Sequence, residues 1–418
     1  MTRTERQRES ARKWIANKGK GSIEAATGFG KTRVGLITIQ ALLKKHPQLR
    51  ILVVVPTTTL KNQWQGYIDE WGFSFNAEVQ VINSVIKHNW TCDFLILDEE
   101  HRYNSDDFSK IFKKVKYKLI LGLTATFERL DGKHIIMQKY CPIIDRIPIL
   151  ECQINGWVSE YKEYAVMIDV DDIEEFKELN KEFIKYFEFF DYDFNKAKSC
   201  CGKDGWKYAI KLRDEMYQGD DEIRKKEVLR AITVNAMNLM RNVQKRKKFI
   251  DNHPKKIEIA RKIIEARSEK KIITFSNNVK MAEAIGTGSV YTGRVSKKRA
   301  DNMIEEFNKA KVGVLNTCAK ANEGLDVKGL SVAIILGTDS SETKARQRRG
   351  RAVRKEEDKI AEIFYVVIKG TTEEKWVKNN HKSDNNYIPI DENGLEKVLK
   401  GEQPELYKAK IGELKFRF

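Results

Sequence analysis

Residues 25–32 read Ala-Ala-Thr-Gly-Phe-Gly-Lys-Thr, a loop of the A/G-x-x-x-x-G-K-[ST] form. Before it, Ser22-Ile23-Glu24-Ala25 is short enough to be a buried strand. After it, Arg33-Val34-Gly35-Leu36-Ile37-Thr38 is compatible with a helix. Strand, glycine-bearing loop and helix together are the context a phosphate-gripping loop requires. Gly28 and Gly30 let the backbone curl with its N–H groups facing a phosphate. Lys31 is placed to reach β- and γ-phosphates, and Thr32 to put its hydroxyl on Mg²⁺. By itself the loop does not separate an ATPase from a kinase or a GTPase.

Outward from the loop, apolar runs end abruptly at polar residues. Ile51-Leu52-Val53-Val54-Val55 stops at Pro56, Phe94-Leu95-Ile96-Leu97 at Asp98-Glu99-Glu100, and Leu119-Ile120-Leu121-Gly122-Leu123 at Thr124-Ala125-Thr126. Continuous apolar runs of this length read as buried parallel strands, and in an open parallel sheet ligands bind at such strand ends. From 151 to about 250 the rhythm changes. Glu174 to Phe190 and Asp220 to Phe249 read as helices, with Cys200 to Gly205 as a turn between helices. The aromatics of the first helix are read as packing residues. After Asn252-His253-Pro254, strand-like runs resume at Ile272–Phe275, Val312–Leu315, Val332–Leu336 and Ile363–Ile368. The expected class is α/β, with two α/β units at 1–150 and 251–395, a mainly helical insertion or linker at 151–250, and a tail at 396–418.

The 418 residues carry a formal charge of +17, which suggests a polyanionic partner. The charge is uneven: Lys245-Arg246-Lys247-Lys248 and Lys297-Lys298-Arg299 are clusters, while Asp169 through Glu182 is largely acidic. No apolar run approaches the length of a membrane span, and Met1 to Gln7 lacks the apolar stretch of a secretory signal, so cytoplasmic residence is the default. The six cysteines form no C-x-x-C pair, which argues against a structural metal and a disulfide framework.

Two further constellations give the loop a chemistry. Asp98, at the end of an apolar strand, suits the water shell around Mg²⁺, and neighbouring Glu99 is suited to orient or deprotonate an attacking water. In Gln347-Arg348-Arg349-Gly350-Arg351-Ala352-Val353-Arg354, the two arginines Arg351 and Arg354 lie three apart and can share a helix face. A guanidinium from a second unit would stabilise charge developing on a γ-phosphate only when the units close, coupling chemistry to movement.

With these motifs in order, the chain resembles the superfamily 2 DExH-type helicases and translocases over roughly 1–150 and 250–370. The resemblance implies two tandem RecA-like P-loop domains. Gln7 matches the upstream glutamine that recognises adenine, and Thr27, Gly28, Gly30, Lys31, Thr32 and Asp98 surround ATP and its Mg²⁺. Pro56 to Leu60 resembles motif Ia, which implies nucleic-acid contacts from Thr57 and Thr58. Thr124 and Thr126 match the motif that links hydrolysis to strand contact. Thr317 with Glu323-Gly324-Leu325-Asp326 resembles motif V, placing Thr317 on a backbone phosphate and Gly324 and Asp326 nearer the nucleotide. Gln347, Arg351 and Arg354 fit the Q-x-x-G-R-x-x-R motif, with the arginines as fingers.

The wording is most similar to a DNA-directed branch that includes XPB-like proteins, type III restriction motor subunits and phage UvsW-like recombination helicases. His101 stands where DEAD-box RNA helicases have Asp, and the position of Gln7 leaves no room before it for the N-terminal damage-recognition module of larger XPB-like proteins. The implied activity is an ATP-dependent DNA helicase or translocase for forks and branched recombination or repair intermediates. The other reading is a nucleic-acid-stimulated ATPase that remodels complexes without processive unwinding. DNA is expected in preference to RNA, with Lys245 and Arg246 as added contacts. No membrane is expected. Replication or recombination proteins are candidate partners, the host cytoplasm is the location if the chain is phage-encoded, and the oligomeric state stays open, a monomer included.

Overall fold

The computed structural model describes residues 1–104, 108–125, 138–158, 160–318, 327, 329–338, 360–381 and 387–407. The chain divides into two compact units. One comprises Met1–Tyr164, Ile264–Tyr365 and Trp376–Ile388, and the other Ala165–Ile263, Val366–Lys375 and Pro389–Phe418.

In the first part of the chain, β1 (Lys20–Ala25), β2 (Ile51–Val55), β3 (Ala77–Val81), β4 (Phe94–Asp98), β5 (Leu119–Thr124) and β6 (Ile143–Ile147) form a sheet of order β3-β2-β4-β5-β1-β6. Every pair in it is parallel. The apolar runs are continuous because both faces are covered: Val53, Val55, Ile96 and Leu121 enter one core, and Leu52, Val54, Leu95 and Ile120 enter another. Each such side chain contributes roughly 1.5–3 kcal/mol on burial. Three helices flank the site edge of this sheet: α1 (Arg3–Ala16), α2 (Lys31–Leu43) and α3 (Thr58–Glu70). Thr2 and Glu5 start α1 with a reciprocal capping box.

The second sheet takes β7 (Tyr161–Ile168), β8 (Lys271–Ser276), β9 (Ser289–Tyr291), β10 (Gly313–Cys318), β11 (Val332–Ile335), β12 (Ala361–Ile368) and β13 (Tyr387–Ile390) in the order β9-β10-β8-β11-β12-β7-β13. Its β9-β10-β8-β11-β12 portion is parallel. These are the two parallel-sheet RecA-like folds expected from the motifs. Strand β7 comes from the stretch read as mainly helical, and it joins the second sheet.

The helical stretch follows β7: α4 (Ile173–Glu188), α5 (Phe194–Ser199), α6 (Gly205–Met216) and α7 (Glu222–Asn252). Phe187, Phe190, Ala197, Ala209, Ile232, Ala236 and Leu239 make its core. The aromatics of α4 are thus packing residues, as their helical spacing suggested.

Candidate active site

The order β4-β5-β1 brings three strand ends side by side. The loop 25–32 leaves β1, Asp98 closes β4 and Thr124 closes β5. Inside the loop Phe29 is fully buried and packs on Trp157 at 5.7 Å, anchoring the turn from below. Gly28 and Gly30 take φ of 92° and 94°, a left-handed backbone that a Cβ disfavours. A Cβ on Gly30 would also lie 2.6 Å from Gln7 Nε2. Lys31 opens α2, with Nζ donating a long 3.4 Å bond to the Ala25 carbonyl.

Helix α1 lies over this loop and is fastened to it at several points. Gln7 Nε2 donates to the Phe29 carbonyl at 2.7 Å; Arg3 donates to the same carbonyl at 2.8 Å and also to that of Gly28. The helix is held from behind by buried Arg6, which reaches both Asp145 oxygens at 2.7 and 3.0 Å and Glu151 at 2.7 Å. Burial alone would raise the Asp145 carboxyl, but hydrogen bonds from Arg6, Lys13 and Ser10 outweigh it and hold the group below its usual range. Among the described residues Gln7 Oε1 is buried and has no hydrogen-bond partner.

At the end of β4, Asp98 is buried, and its Oδ2 accepts from the indole N–H of Trp64 at 2.7 Å. Burial and the adjacent Glu99 charge raise Asp98 to about 6. Glu99 itself sits at φ 50°, a costly conformation for a non-glycine residue that tends to gather at functional sites. His101 links the carboxylates to β5, with Nδ1 at 3.4 Å from Glu99 and 3.1 Å from the Thr124 hydroxyl.

Glu100 turns the opposite way, into the sheet. Its Oε1 is 2.7 Å from the Ser22 hydroxyl, and that hydroxyl is also 2.9 Å from the Cys141 carbonyl. The carbonyl accepts only, and the serine has one hydrogen. The chain is satisfied when Ser22 donates to Cys141 and a protonated Glu100 donates to Ser22. Burial correspondingly pushes Glu100 up to about 8. Gly122 makes room for it, since a Cβ there would lie 2.0 Å from Glu100 Oε2.

The arrangement fits a magnesium–adenine-nucleotide complex. Gln7 offers an unused acceptor matched to an exocyclic amino group, Gly28 to Thr32 form a phosphate loop at a helix start, and the two raised or strained carboxylates are a donor set that a divalent cation would neutralise. Among the described residues, no cluster of three or more His, Cys, Asp or Glu forms a protein-only metal site.

The expected residues Gln7, Thr27, Gly28, Gly30, Lys31, Thr32, Asp98, Glu99 and Thr124 therefore lie along one sheet edge or on the helix fastened over it. Thr57 caps α3 by accepting from the Leu60 N–H at 3.3 Å, and Thr58 beside it is exposed. Two of the residues expected to touch nucleic acid have protein partners instead. Thr317 is fully buried, and its hydroxyl donates to the Thr274 carbonyl at 2.7 Å, so it serves the second sheet. Arg246 turns inward, its guanidinium 4.1 Å from the Phe183 ring and 5.5 Å from that of Phe176. Thr126, Gly324, Asp326, Gln347, Arg351 and Arg354 lie outside the described residues. Sequence reasoning missed Trp64, Arg6 and Glu100. The signal available for Trp64 was its polar N–H on an otherwise buried residue type.

The family described as type III restriction enzyme, res subunit, matches residues 1–89 and 74–129, and the helicase conserved C-terminal domain matches 255–356. The chain is similar to the DNA 3'-5' translocase XPB2 of Sulfurisphaera tokodaii, 26% identical over 88% of this chain and 82% of that one. Its fold is similar to the Hef helicase domain of Pyrococcus furiosus, with a TM-score of 0.50 at 18% identity, covering 89% of this chain and 96% of that one. It is also similar to S. cerevisiae Dbp5 bound to RNA and ADP BeF3, with a TM-score of 0.59 at 12% identity, covering 94% and 91%. Among the described residues no helix is long and apolar enough to cross a membrane.

Proposed function

The chain belongs to the superfamily 2 DExH-type helicases and translocases, and from that premise we propose that it uses ATP to move along DNA and to open or remodel forked and branched duplexes. It is an ATP-dependent helicase-type enzyme that acts on nucleic acid. The observation that carries the mechanism is the shared edge of β1, β4 and β5, where the loop 25–32, Asp98 and Thr124 meet. When bound, Mg²⁺ supplies charge neutralisation for phosphoryl transfer. Lys31 and the loop N–H groups hold the phosphates, and Thr32 and Asp98 are the groups that would hold the metal's shell. Glu99 orients and deprotonates the attacking water. His101, within reach of both Glu99 and Thr124, passes the state of the carboxylate to β5. Arg351 and Arg354 are proposed to stabilise charge on the transferring group, with Gln347, Gly324 and Asp326 beside the nucleotide.

His101 in place of the DEAD-box aspartate argues against that RNA-directed group, and DNA as the track is supported by likeness to a relative described as a DNA translocase. Thr57 and Thr58, at the start of α3, are proposed to contact the backbone in a largely sequence-independent way. Steady-state ATPase rates across single-stranded DNA, duplex, forks, four-way junctions and RNA test the proposal. Forks or junctions should stimulate most; stimulation by RNA alone would replace DNA with an RNA-remodelling role.

A further inference from the structure

The longest helix, α7, carries two opposed faces. Ile232, Ala236 and Leu239 enter the core of the helical stretch. On the other side Arg230, Val234, Met237, Arg241, Lys245 and Lys248 are all exposed. At 3.6 residues per turn these six fall within a sector about 80° wide. Arg230 to Lys248 spans about 27 Å at 1.5 Å per residue. Between Glu227 and Asp251 the helix has no carboxylate.

Several cations elsewhere in this stretch are matched locally, while among the described residues exposed Lys185, Lys198, Lys203 and Lys226 have no ion pair. Lys177 pairs with Glu174, Lys181 with Glu178, Lys196 with Asp191, Lys207 with Asp204 and Arg224 with Glu227, at 2.5–3.1 Å. Among the described residues Arg230, Arg241, Lys245 and Lys248 have no ion-pair partner. Four like charges in one file repel each other, and an external anion with a regular repeat would relieve that repulsion.

We propose that this face of α7 is a track for the phosphate backbone of a double-stranded arm of the substrate. Its length matches about eight phosphates of one strand at 3.4 Å spacing. Val234 and Met237, in the middle of the file, supply no aromatic platform of the kind that holds single strands by base stacking. A protein partner mixes both signs at its surface, and this file offers no carboxylate to meet its cations. The proposal rests on the reading of the chain as a nucleic-acid motor and adds which arm the helical stretch holds. It also replaces the basic run 245–248 as a block: Lys245 and Lys248 belong to the track, and inward-turned Arg246 does not.

The test compares the full chain with R230Q/R241Q/K245Q/K248Q and with K177Q/K181Q/K196Q/K207Q, which loses equal charge from paired positions. Affinity for a blunt duplex is measured across a salt series, with helicity and melting temperature as the fold check. Each lost phosphate contact lowers the slope of log K against log salt by about 0.9, so the track variant should lose about 3.6 and the control should keep the original slope. An unchanged slope in the track variant, or an equal loss in the control, overturns the track. A loss seen on single strands but not on duplex overturns the double-stranded assignment. If the unaltered protein shows no nucleic-acid-stimulated ATPase, the motor reading falls first; stimulation with an unchanged slope removes the track alone.

Discussion

Replacing Glu100 by Gln should stabilise the protein near neutral pH. The amide can donate to Ser22 from the position of Oε1, where the protonated acid donates in the native chain, and leave an oxygen at Oε2. In the folded chain Glu100 holds its proton up to about 8, against a usual value of 4.5. The unfolded chain releases that proton at the lower pH. A carboxyl raised on folding therefore costs stability progressively as pH climbs through this window, and below it the cost vanishes. At 1.36 kcal/mol per pH unit, the cost reaches about 3 kcal/mol at pH 7. Glu100→Gln has no proton to lose, so the cost is absent from it. Urea denaturation at pH 5, 6, 7 and 8 reads the difference directly. The gap in unfolding free energy between variant and parent should widen with pH by roughly 1.4 kcal/mol per unit and level off above about 8. Parallel pH profiles would refute the protonated chain from Glu100 through Ser22 to Cys141.

Four further variants test the proposed mechanism. Trp64→Phe keeps an aromatic six-membered ring but removes the pyrrole ring and with it the N–H that steadies Asp98, so the Mg²⁺ concentration giving half-maximal ATPase should rise roughly tenfold, the effect of one hydrogen bond to a charged group; an unmoved Mg²⁺ profile would detach Trp64 from the site. Lys31→Ala should lose ATP binding, whereas Glu99→Gln should retain binding by fluorescent-nucleotide titration and abolish turnover; hydrolysis at the normal rate in Glu99→Gln would move the base elsewhere. Arg354→Ala should slow ATPase turnover by about 10³–10⁵-fold if it acts as an arginine finger, and normal turnover would remove it from the site.

The readable parts of this chain were those encoded locally. The loop 25–32, the strand ending at Asp98 and the two long helices each announce themselves within a short window, through glycine spacing, an apolar run or helical periodicity. What escaped depends on partners far along the chain. Arg6 lies 139 residues from Asp145, and Trp64 lies 34 from Asp98. No short-range pattern marks either pairing. Strand β7 was missed because Tyr164 to Ile168, buried throughout, carries no period-2 alternation to distinguish it from buried helix. Arg246 and Thr317 show the converse: a motif or a charge run suggests a residue type, while the side chain's direction depends on the helix phase and the sheet.

The bond from Gln7 to the Phe29 carbonyl has a consequence for fidelity. That carbonyl accepts only, and Phe29 is locked in place against Trp157, so the Gln7 amide cannot rotate to exchange its two ends. A freely turning glutamine would greet adenine with its oxygen and guanine with its nitrogen. Here only the oxygen is on offer. If Gln7 reads the base as proposed, adenine would meet it with an amino group and guanine with a carbonyl, so GTP should be turned away by repulsion, independently of how tightly the phosphates are gripped.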